Sequence, residues 1–158
     1  MIIIFEKIKR MVALKDFLLS QGYYRVKLHL TKTNHFEIKA EINGKKGLFI
    51  LDTGASSSCI GIDAAETFGL TTQKSDIKIT GAGATNMDSL LSKKNTIKIG
   101  KWKQQKMMLV LFNLTHVNEG LINHDAKPVD GIIGADVLKK GKAIIDYNKK
   151  YLYLKPIS

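Results

Sequence analysis

The feature that most constrains this chain is a short apolar run that ends at a carboxylate. Leu48–Leu51 is a run of four consecutive large apolar side chains, and Asp52, Thr53 and Gly54 follow directly. The run is too short for a helix of its own and predicts a strand buried on both faces. A carboxylate at the end of such a strand is costly unless it is paired or hydrogen-bonded, which makes Asp52 a candidate functional residue. A simple turn is the alternative, because Asp and Gly are common turn residues, and this run alone leaves both interpretations open.

A second apolar stretch, Val129–Leu138, lies near the other end of the chain and contains Ile132-Ile133-Gly134. These two stretches, in this order and with a glycine-bearing segment between them, resemble the retropepsin-like aspartic peptidases, the single-domain relatives of pepsin. The resemblance covers roughly Phe36 to the C-terminus. It implies a mainly β fold, a closed pepsin-like β-barrel forming one lobe, with short helices after the catalytic loop and after Gly134.

The resemblance also implies an activity, that of an aspartic endopeptidase with Asp52 as its catalytic carboxylate. Because the chain has one Asp-Thr-Gly, the second carboxylate would be Asp52 of another subunit, and the active unit would be a homodimer that cleaves a peptide or protein substrate. No metal or organic cofactor is implied. The other implied site residues are Thr53, Gly54, Ala55 and Ser56 in the catalytic loop, Ile132, Ile133 and Gly134 behind it, and Thr80, Gly81, Ala82 and Gly83 in a flap over the substrate.

Three alternatives remain open at this stage. The glycine-bearing segment Gly81–Gly83 is also compatible with a strand bulge. A retropepsin-like domain can lack peptidase activity and serve as a dimerisation or peptide-binding module, although the intact Asp-Thr-Gly argues against this. The same barrel can also serve a basic protein that binds polyanions or membrane surfaces, since a fold alone does not define a function.

The charge of the chain bears on that last alternative. Its 158 residues, 44% hydrophobic, predict one domain with a self-sufficient core. The net charge of +11 comes almost entirely from lysine, because Arg10 and Arg25 are the only arginines. No nucleic-acid-binding motif accompanies the lysines, so we expect a solvated basic face that binds anionic surfaces weakly and no specific nucleic-acid site.

The N-terminal region and the single cysteine predict the domain limits and the compartment. Apolar residues recur at helical spacing over Ile4–Leu19, and Gly22 is a natural helix stop. We therefore expect a helical extension over residues 1–22, docked on its own domain in preference to a membrane or partner, and a protease domain over residues 23–158. Cys59, the only cysteine, is expected to be a small buried residue, and the absence of a disulfide favours a cytoplasmic location.

Further patterns predict the elements around the site. Asn43-Gly44 is a strong hairpin signal between two alternating strands. The remaining predictions are a helix over Asp63–Phe68, separate pairing strands at Ser89–Leu91 and Thr96–Ile99, an interior strand over Lys106–Leu114, a polar loop over Asn118–Pro128, a helix over Ala135–Lys140, and a closing hairpin of Ala143–Tyr147 with Tyr151–Leu154.

Overall fold

The structure is a computed structural model that describes residues 12–81 and 84–157. It is mainly β, as the sequence predicts. In chain order the elements are α1 (Leu14–Ser20), β1 (Tyr24–Lys27), β2 (His29–Leu30), β3 (Phe36–Ile42), β4 (Lys45–Leu51), β5 (Cys59–Gly61), a 3₁₀ turn (Ile62–Ala64), β6 (Thr72–Lys74), β7 (Ile79–Gly81), β8 (Ala84–Met87), β9 (Leu90–Ile99), β10 (Trp102–Phe112), α2 (Thr115–Asn123), β11 (Gly131–Ile133), α3 (Ala135–Lys140), β12 (Ile144–Asp146) and β13 (Tyr151–Leu154).

The centre of the molecule is a closed barrel of six strands, which confirms the predicted fold. Its strand order is β3-β4-β11-β5-β10-β9, and β9 returns to β3 through the pairs Glu41↔Lys98 and Ile42↔Ile97. Closure satisfies the main-chain groups that an open sheet would leave at its edges. A separate sheet, ordered β1-β13-β12, joins the N-terminal region to the last strands of the chain.

The hairpin that leads to Asp52 is formed as predicted. Asn43 and Gly44 have φ of 50° and 80°, the left-handed values that a two-residue turn between strands requires. Strand β4 is buried on both faces at its C-terminal end: Phe49 and Leu51 belong to the barrel core, whereas Ile50 points to the other side. The predicted buried strand therefore ends directly at Asp52.

The prediction of a polar loop over Asn118–Pro128 is wrong, because α2 occupies Thr115–Asn123. Leu121 of this helix is buried with Ile50 and Val129, on the outer side of β4. This packing explains the helix, since tertiary burial of an apolar face stabilises helices that composition alone does not indicate.

Two other local predictions also differ from the structure. Ser89–Leu91 and Thr96–Ile99 do not pair with each other, because β9 runs continuously over Leu90–Ile99 and pairs with β10. The helix expected after the catalytic loop is a 3₁₀ turn at Ile62–Ala64, extended by turns as far as Gly69.

The N-terminal helix is described from its last turns. Residues 4–11 of the predicted helix lie outside the described residues, and α1 begins at Leu14. It ends as predicted, because Gly22 has a φ of 85° and Tyr23 N–H donates to Leu18 O at 3.1 Å. Leu18 is buried, as docking on the domain requires. Within residues 12–81 and 84–157, no helix has the length and apolar character needed to span a membrane.

Candidate active site

Asp52 is the first residue after β4 and is held at the end of a parallel strand pair. Strand β4 lies beside β11, with Leu51 opposite Ile133, and Asp52 N–H donates to Ile133 O at 3.0 Å. The main chain of Asp52 thus continues the ladder, whereas its side chain leaves it and is exposed. The hydrogen bond with Ile133 fixes the point at which the chain turns away from the barrel.

The loop after Asp52 orients the carboxylate. Gly54 N–H donates to Asp52 Oδ1 at 2.9 Å, and Ala55 N–H donates to Asp52 O at 3.3 Å. A Cβ on Gly54 would lie 3.2 Å from Asp52 Oδ1, closer than most side chains tolerate. Thr53, Gly54 and Ser56 are exposed and Ala55 is half-buried, so this loop presents its motif to the surface.

The second apolar motif clamps this loop from behind. Ala135 N–H donates to Ala55 O at 2.7 Å, and the N–H of Gly134 donates to Ser58 Oγ at 2.9 Å. A Cβ on Gly134 would lie 2.7 Å from Ala55 O and 2.9 Å from Ser57 O. Glycine is therefore required here by close approach of two main chains, and Ile132-Ile133-Gly134 lies against the Asp52 loop.

Asp136 completes the clamp, because its carboxylate accepts hydrogen bonds from Ser58 and Val137. Ser58 N–H lies 3.0 Å from both of its carboxylate oxygens, and Ser58 Oγ donates to Oδ1 at 2.7 Å. Val137 N–H donates to the same oxygen at 2.8 Å. Sequence reasoning missed Ser58, which is fully buried, because nothing in the run Ser56–Ser58 distinguishes it from its neighbours.

Cys59 follows Ser58 directly and is buried. Burial, and then the negative charges of Asp136 and Asp52, raise the pKa of its thiol from 9.0 to about 12. The thiol donates to Ser57 O at 3.3 Å. The burial of Cys59 confirms the prediction of a small buried residue, and a thiol that stays protonated is unreactive.

Asp130 precedes the Ile132-Ile133-Gly134 motif in the sequence, but its carboxylate contacts β4 at Leu48, away from Asp52. Its Oδ2 accepts from Leu48 N–H at 2.8 Å, and its own N–H donates to Leu48 O at the same distance. Leu48 is four residues upstream of Asp52. Among the described residues, His, Cys, Asp and Glu side chains form no group of three that could hold a metal.

The predicted flap is part of a two-stranded ribbon, β7 with β8. Thr80 and Gly81 lie on β7, while Ala82 and Gly83 lie outside the described residues. Ile79 and Met87 anchor the ribbon against a cluster of buried residues that includes Cys59, so its base stands on the same part of the barrel as the Asp52 loop.

Side-chain contacts close the base of this ribbon. Ser89 Oγ donates to Ile77 O at 2.5 Å, and Lys78 forms an ion pair with Asp88. The hydrogen bond from Lys78, followed by its positive charge, lowers the pKa of the Asp88 carboxyl. Because Lys78 and Asp88 are both exposed, water screens this pair and its contribution is small.

A groove of about 360 Å³ opens beside Thr53. Its apolar wall comes from α3 and the strand after it, and two lysines stand at its rim. The residues that line it are Thr53, Ala135, Leu138, Lys139, Lys142, Ala143 and Ile145.

Comparison with protein families identifies this arrangement. The family model described as aspartyl protease matches residues 38–137, which include both the Asp52 loop and the clamp behind it. The chain therefore belongs to the aspartyl protease family. No curated protein matches the chain.

Solved structures share the retropepsin-like fold. A retropepsin-like aspartic protease from Rickettsia conorii has a TM-score of 0.57 and 20% identity, covering 84% of this chain and 90% of that one. The EIAV protease complexed with the inhibitor HBY-793 has a TM-score of 0.52 and 20% identity, covering 70% of this chain and 90% of that one. The retroviral protease-like domain of Ddi1 from Leishmania major has a TM-score of 0.51 and 16% identity, covering 84% and 90%. At these identities the likeness concerns the fold.

Proposed function

We propose that this aspartyl protease is an endopeptidase whose catalytic dyad consists of two Asp52 carboxylates, one from each subunit of a homodimer. The observation that carries the proposal is the Asp52 loop itself. One Asp-Thr-Gly is present in the chain, its carboxylate is exposed, and its main chain is clamped against Ile133 and Ala135. An exposed but rigidly held carboxylate is suited to meet an identical one.

Two facing carboxylates supply the chemistry that amide hydrolysis needs. They cannot both ionise easily at short distance, so the pair retains one proton. The ionised member removes a proton from water, and the protonated member donates to the peptide group. The bond from Gly54 N–H to Asp52 Oδ1 leaves Oδ2 without a partner among the described residues, so Oδ2 is available to water.

The remaining acidic groups of the site region support a dyad that needs a second subunit. The Asp136 carboxylate is engaged by Ser58 and Val137, and that of Asp130 by Leu48. We assign Thr53, exposed beside the apolar groove, to contacts with the partner subunit. A two-fold axis near Asp52 would bury this surface and bring in the missing carboxylate.

Substrate would pass between the Asp52 loops and the ribbons. We assign Ala55 to the substrate path, Ser56 to the loop that supports Asp52, and Thr80–Gly83 to the flap that closes over the peptide. We also retain two proposals based on the sequence. The first is that residues 1–22 are a helical extension and residues 23–158 the protease domain. The second is a cytoplasmic location, which the single cysteine supports.

Dilution and subunit mixing test the proposal. Specific activity on a peptide library should rise with protein concentration until the dimer saturates. Asp52→Asn should abolish cleavage while sedimentation and thermal unfolding stay unchanged, because the substitution is nearly isosteric. Mixing wild-type chains, after dissociation, with excess Asp52→Asn chains should deplete activity as heterodimers form.

Asp63→Asn is the matched control, because Asp63 is an exposed aspartate outside the clamp. In the mixing experiment this variant should leave activity intact. A monomer that cleaves at constant specific activity would contradict the two-fold dyad. Peptide binding without cleavage by the wild-type dimer would instead indicate a catalytically silent module.

A further inference from the structure

A large concavity in the described part of the chain lies away from Asp52. It is a cleft of about 1300 Å³ whose floor is the outer face of β3, β4 and β9. One wall is the segment 26–32, and the other is Asp125–Lys127, directly after α2. On β4 the cleft is lined by Lys46, Gly47 and Leu48, four to six residues before Asp52. At about 3.3 Å per residue, it begins roughly 13–20 Å from the candidate active site.

Lysine dominates the charge of this cleft. Three acidic side chains line it, and two of these are already opposed: Glu41 by Lys98 at 3.4 Å, and Asp125 by Lys32 at 3.9 Å. The third, Glu37, is buried. We call this concavity the lysine cleft after the six lysines that line it: Lys27, Lys32, Lys39, Lys46, Lys98 and Lys127.

Four of these lysines are available to a ligand. Lys27, Lys39, Lys46 and Lys127 are exposed and form no ion pair with any described residue. Their charges converge on a concave surface, where they reinforce one another more than scattered surface charges do. An anionic partner would therefore be favoured over a neutral one.

The remaining lining distinguishes between classes of anion. Apolar contacts come from aliphatic side chains such as Val26, Leu30 and Leu48. The described lining contains no Phe, Tyr, Trp or Arg, and its only aromatic ring is the imidazole of His29. Single-stranded nucleic acids are bound through aromatic stacking, and phosphates are favoured by the planar fork of arginine. Aliphatic side chains between lysine ammonium groups instead suit a peptide in which carboxylates alternate with small apolar residues.

We propose that the lysine cleft binds an acidic, extended peptide segment, and that it acts as a second recognition site on protein substrates, remote from the scissile bond. Binding itself does not depend on the proposed hydrolysis. The contribution to substrate choice does rest on the proposed endopeptidase activity. The two are therefore measured separately.

The binding experiment uses the full chain carrying Asp52→Asn and a fluorescein-labelled ten-residue peptide that alternates Glu with Ala. Anisotropy should report saturable binding that weakens with salt, and the corresponding Gln–Ala peptide should not bind. The triple variant Lys39→Gln, Lys46→Gln and Lys127→Gln should weaken binding by about tenfold or more. The matched triple variant Lys74→Gln, Lys93→Gln and Lys149→Gln removes equal charge from exposed lysines outside the cleft, and should change the Kd less than about twofold.

Each result decides the proposal. Equal losses in both triple variants would indicate diffuse attraction to the basic surface and would overturn it. Tighter binding of a ten-residue oligothymidylate that is lost in the cleft variant would also overturn it, in favour of a nucleic-acid site. Should the triple variant unfold, Lys127→Glu alone, on the loop after α2, gives the same comparison against Lys149→Glu.

A kinetic experiment then tests the role in substrate choice. A cleavable peptide that carries the Glu–Ala segment on a flexible linker should show a lower KM than the same peptide with Gln–Ala, at equal kcat. The triple cleft variant should remove that difference without altering cleavage of the Gln–Ala peptide. If the Glu–Ala segment binds more tightly than the Gln–Ala segment but the two cleavable peptides have equal KM values, the cleft binds peptides without contributing to substrate choice. If the wild type cleaves neither peptide, the proposed active site is contradicted and the binding result for the cleft still stands.

Discussion

The Asp52 loop and the β7–β8 ribbon lie near the same part of the barrel, yet they are held in opposite ways. The loop accepts one main-chain hydrogen bond from Ala135 N–H at 2.7 Å and donates one to Ile133 O at 3.0 Å. The ribbon forms a separate two-stranded sheet, and a Cβ added to Gly81 would meet nothing within 4 Å. Close contacts between main chains leave the loop little room to move, whereas the space around Gly81 in the ribbon is open.

The difference is the one that the proposed function requires of the Asp52 loop and the proposed flap. Carboxylates must be positioned within a fraction of an ångström for proton transfer, so the loop that carries them is fixed. An element that admits and releases a peptide has to move, and it is therefore attached by few contacts. Substitutions in the loop should affect stability and activity together, whereas those in the ribbon should affect mainly activity.

The largest effect is expected for Gly134→Ala. The new methyl group would lie under 3 Å from the carbonyl oxygens of Ala55 and Ser57, which cannot move without breaking the clamp. We expect the free energy of unfolding to fall by about 3 kcal/mol and cleavage to fall roughly 100-fold. Urea unfolding and peptide cleavage measure the two effects. In the control Gly120→Ala the added Cβ meets nothing within 4 Å on α2, and this variant should be neutral or slightly stabilising.

A smaller but related effect is expected for Asp136→Ala. It leaves the N–H of Ser58, a fully buried residue, without its acceptor, which costs about 1–3 kcal/mol of unfolding free energy. Activity should fall as well, and Asp136→Asn, which retains one acceptor oxygen, should restore part of both.

Asp130→Ala separates stability from positioning in the same experiment. Asp130 also accepts a main-chain N–H, but from Leu48, away from the loop. The Asp130→Ala variant should therefore have a lower thermal midpoint, while kcat of the folded enzyme stays unchanged. Equal losses of kcat in both alanine variants would show that the clamp has no special role.

The buried thiol adds a pH-dependent effect of intermediate size. Folding raises the pKa of the Cys59 thiol from 9.0 to about 12. The unfolded chain therefore ionises first, and the free energy of unfolding falls as the pH rises from 9 towards 12, whereas below pH 9 the thiol causes no such loss. Between pH 8 and pH 10 the wild type should lose about 1.4 kcal/mol more unfolding free energy than Cys59→Ala. Urea titrations at the two pH values measure it. Parallel losses in both proteins would place the titrating group elsewhere.

The smallest change in stability is expected at the ribbon. Ser89→Ala removes the hydrogen bond to Ile77 O and should lower the unfolding free energy by less than about 1 kcal/mol, yet reduce kcat/KM about threefold by loosening the base of the ribbon. Ser20→Ala is the control, because Ser20 Oγ donates to Phe17 O on α1 in a similar bond. An unchanged kcat/KM in Ser89→Ala would separate the ribbon from substrate binding.

Sequence reasoning succeeded where local patterns determine structure. The apolar run before Asp52, the turn at Asn43-Gly44 and the stop at Gly22 each depend on residues next to one another, and the structure confirms all three. The barrel and the family followed from the order of two motifs that are far apart. The catalytic roles assigned to Asp52 and the flap remain predictions.

Sequence reasoning failed where the structure depends on contacts between residues that are far apart in the chain. The segment Thr115–Asn123 is helical because Leu121 packs against Ile50 on the outer side of β4. This contact joins residues far apart in the chain, so a local sequence pattern does not predict it. Ser58 looks like its serine neighbours until the fold brings Asp136 to it. The lysine cleft likewise gathers residues from several separate segments.

The clamp behind Asp52 also determines when the site can exist during synthesis. Its bonds join Asp52 to Ile133 and Ser58 to Asp136, and Ser58 and Asp136 are 78 positions apart in the chain. Contacts of such long range form late, because the entropy of closing the intervening loop must first be overcome. On a ribosome the Asp-Thr-Gly would emerge long before the strand and helix that hold it. A nascent chain would therefore carry the motif without the geometry, and the protease would be protected from acting until nearly all of the described barrel had been made.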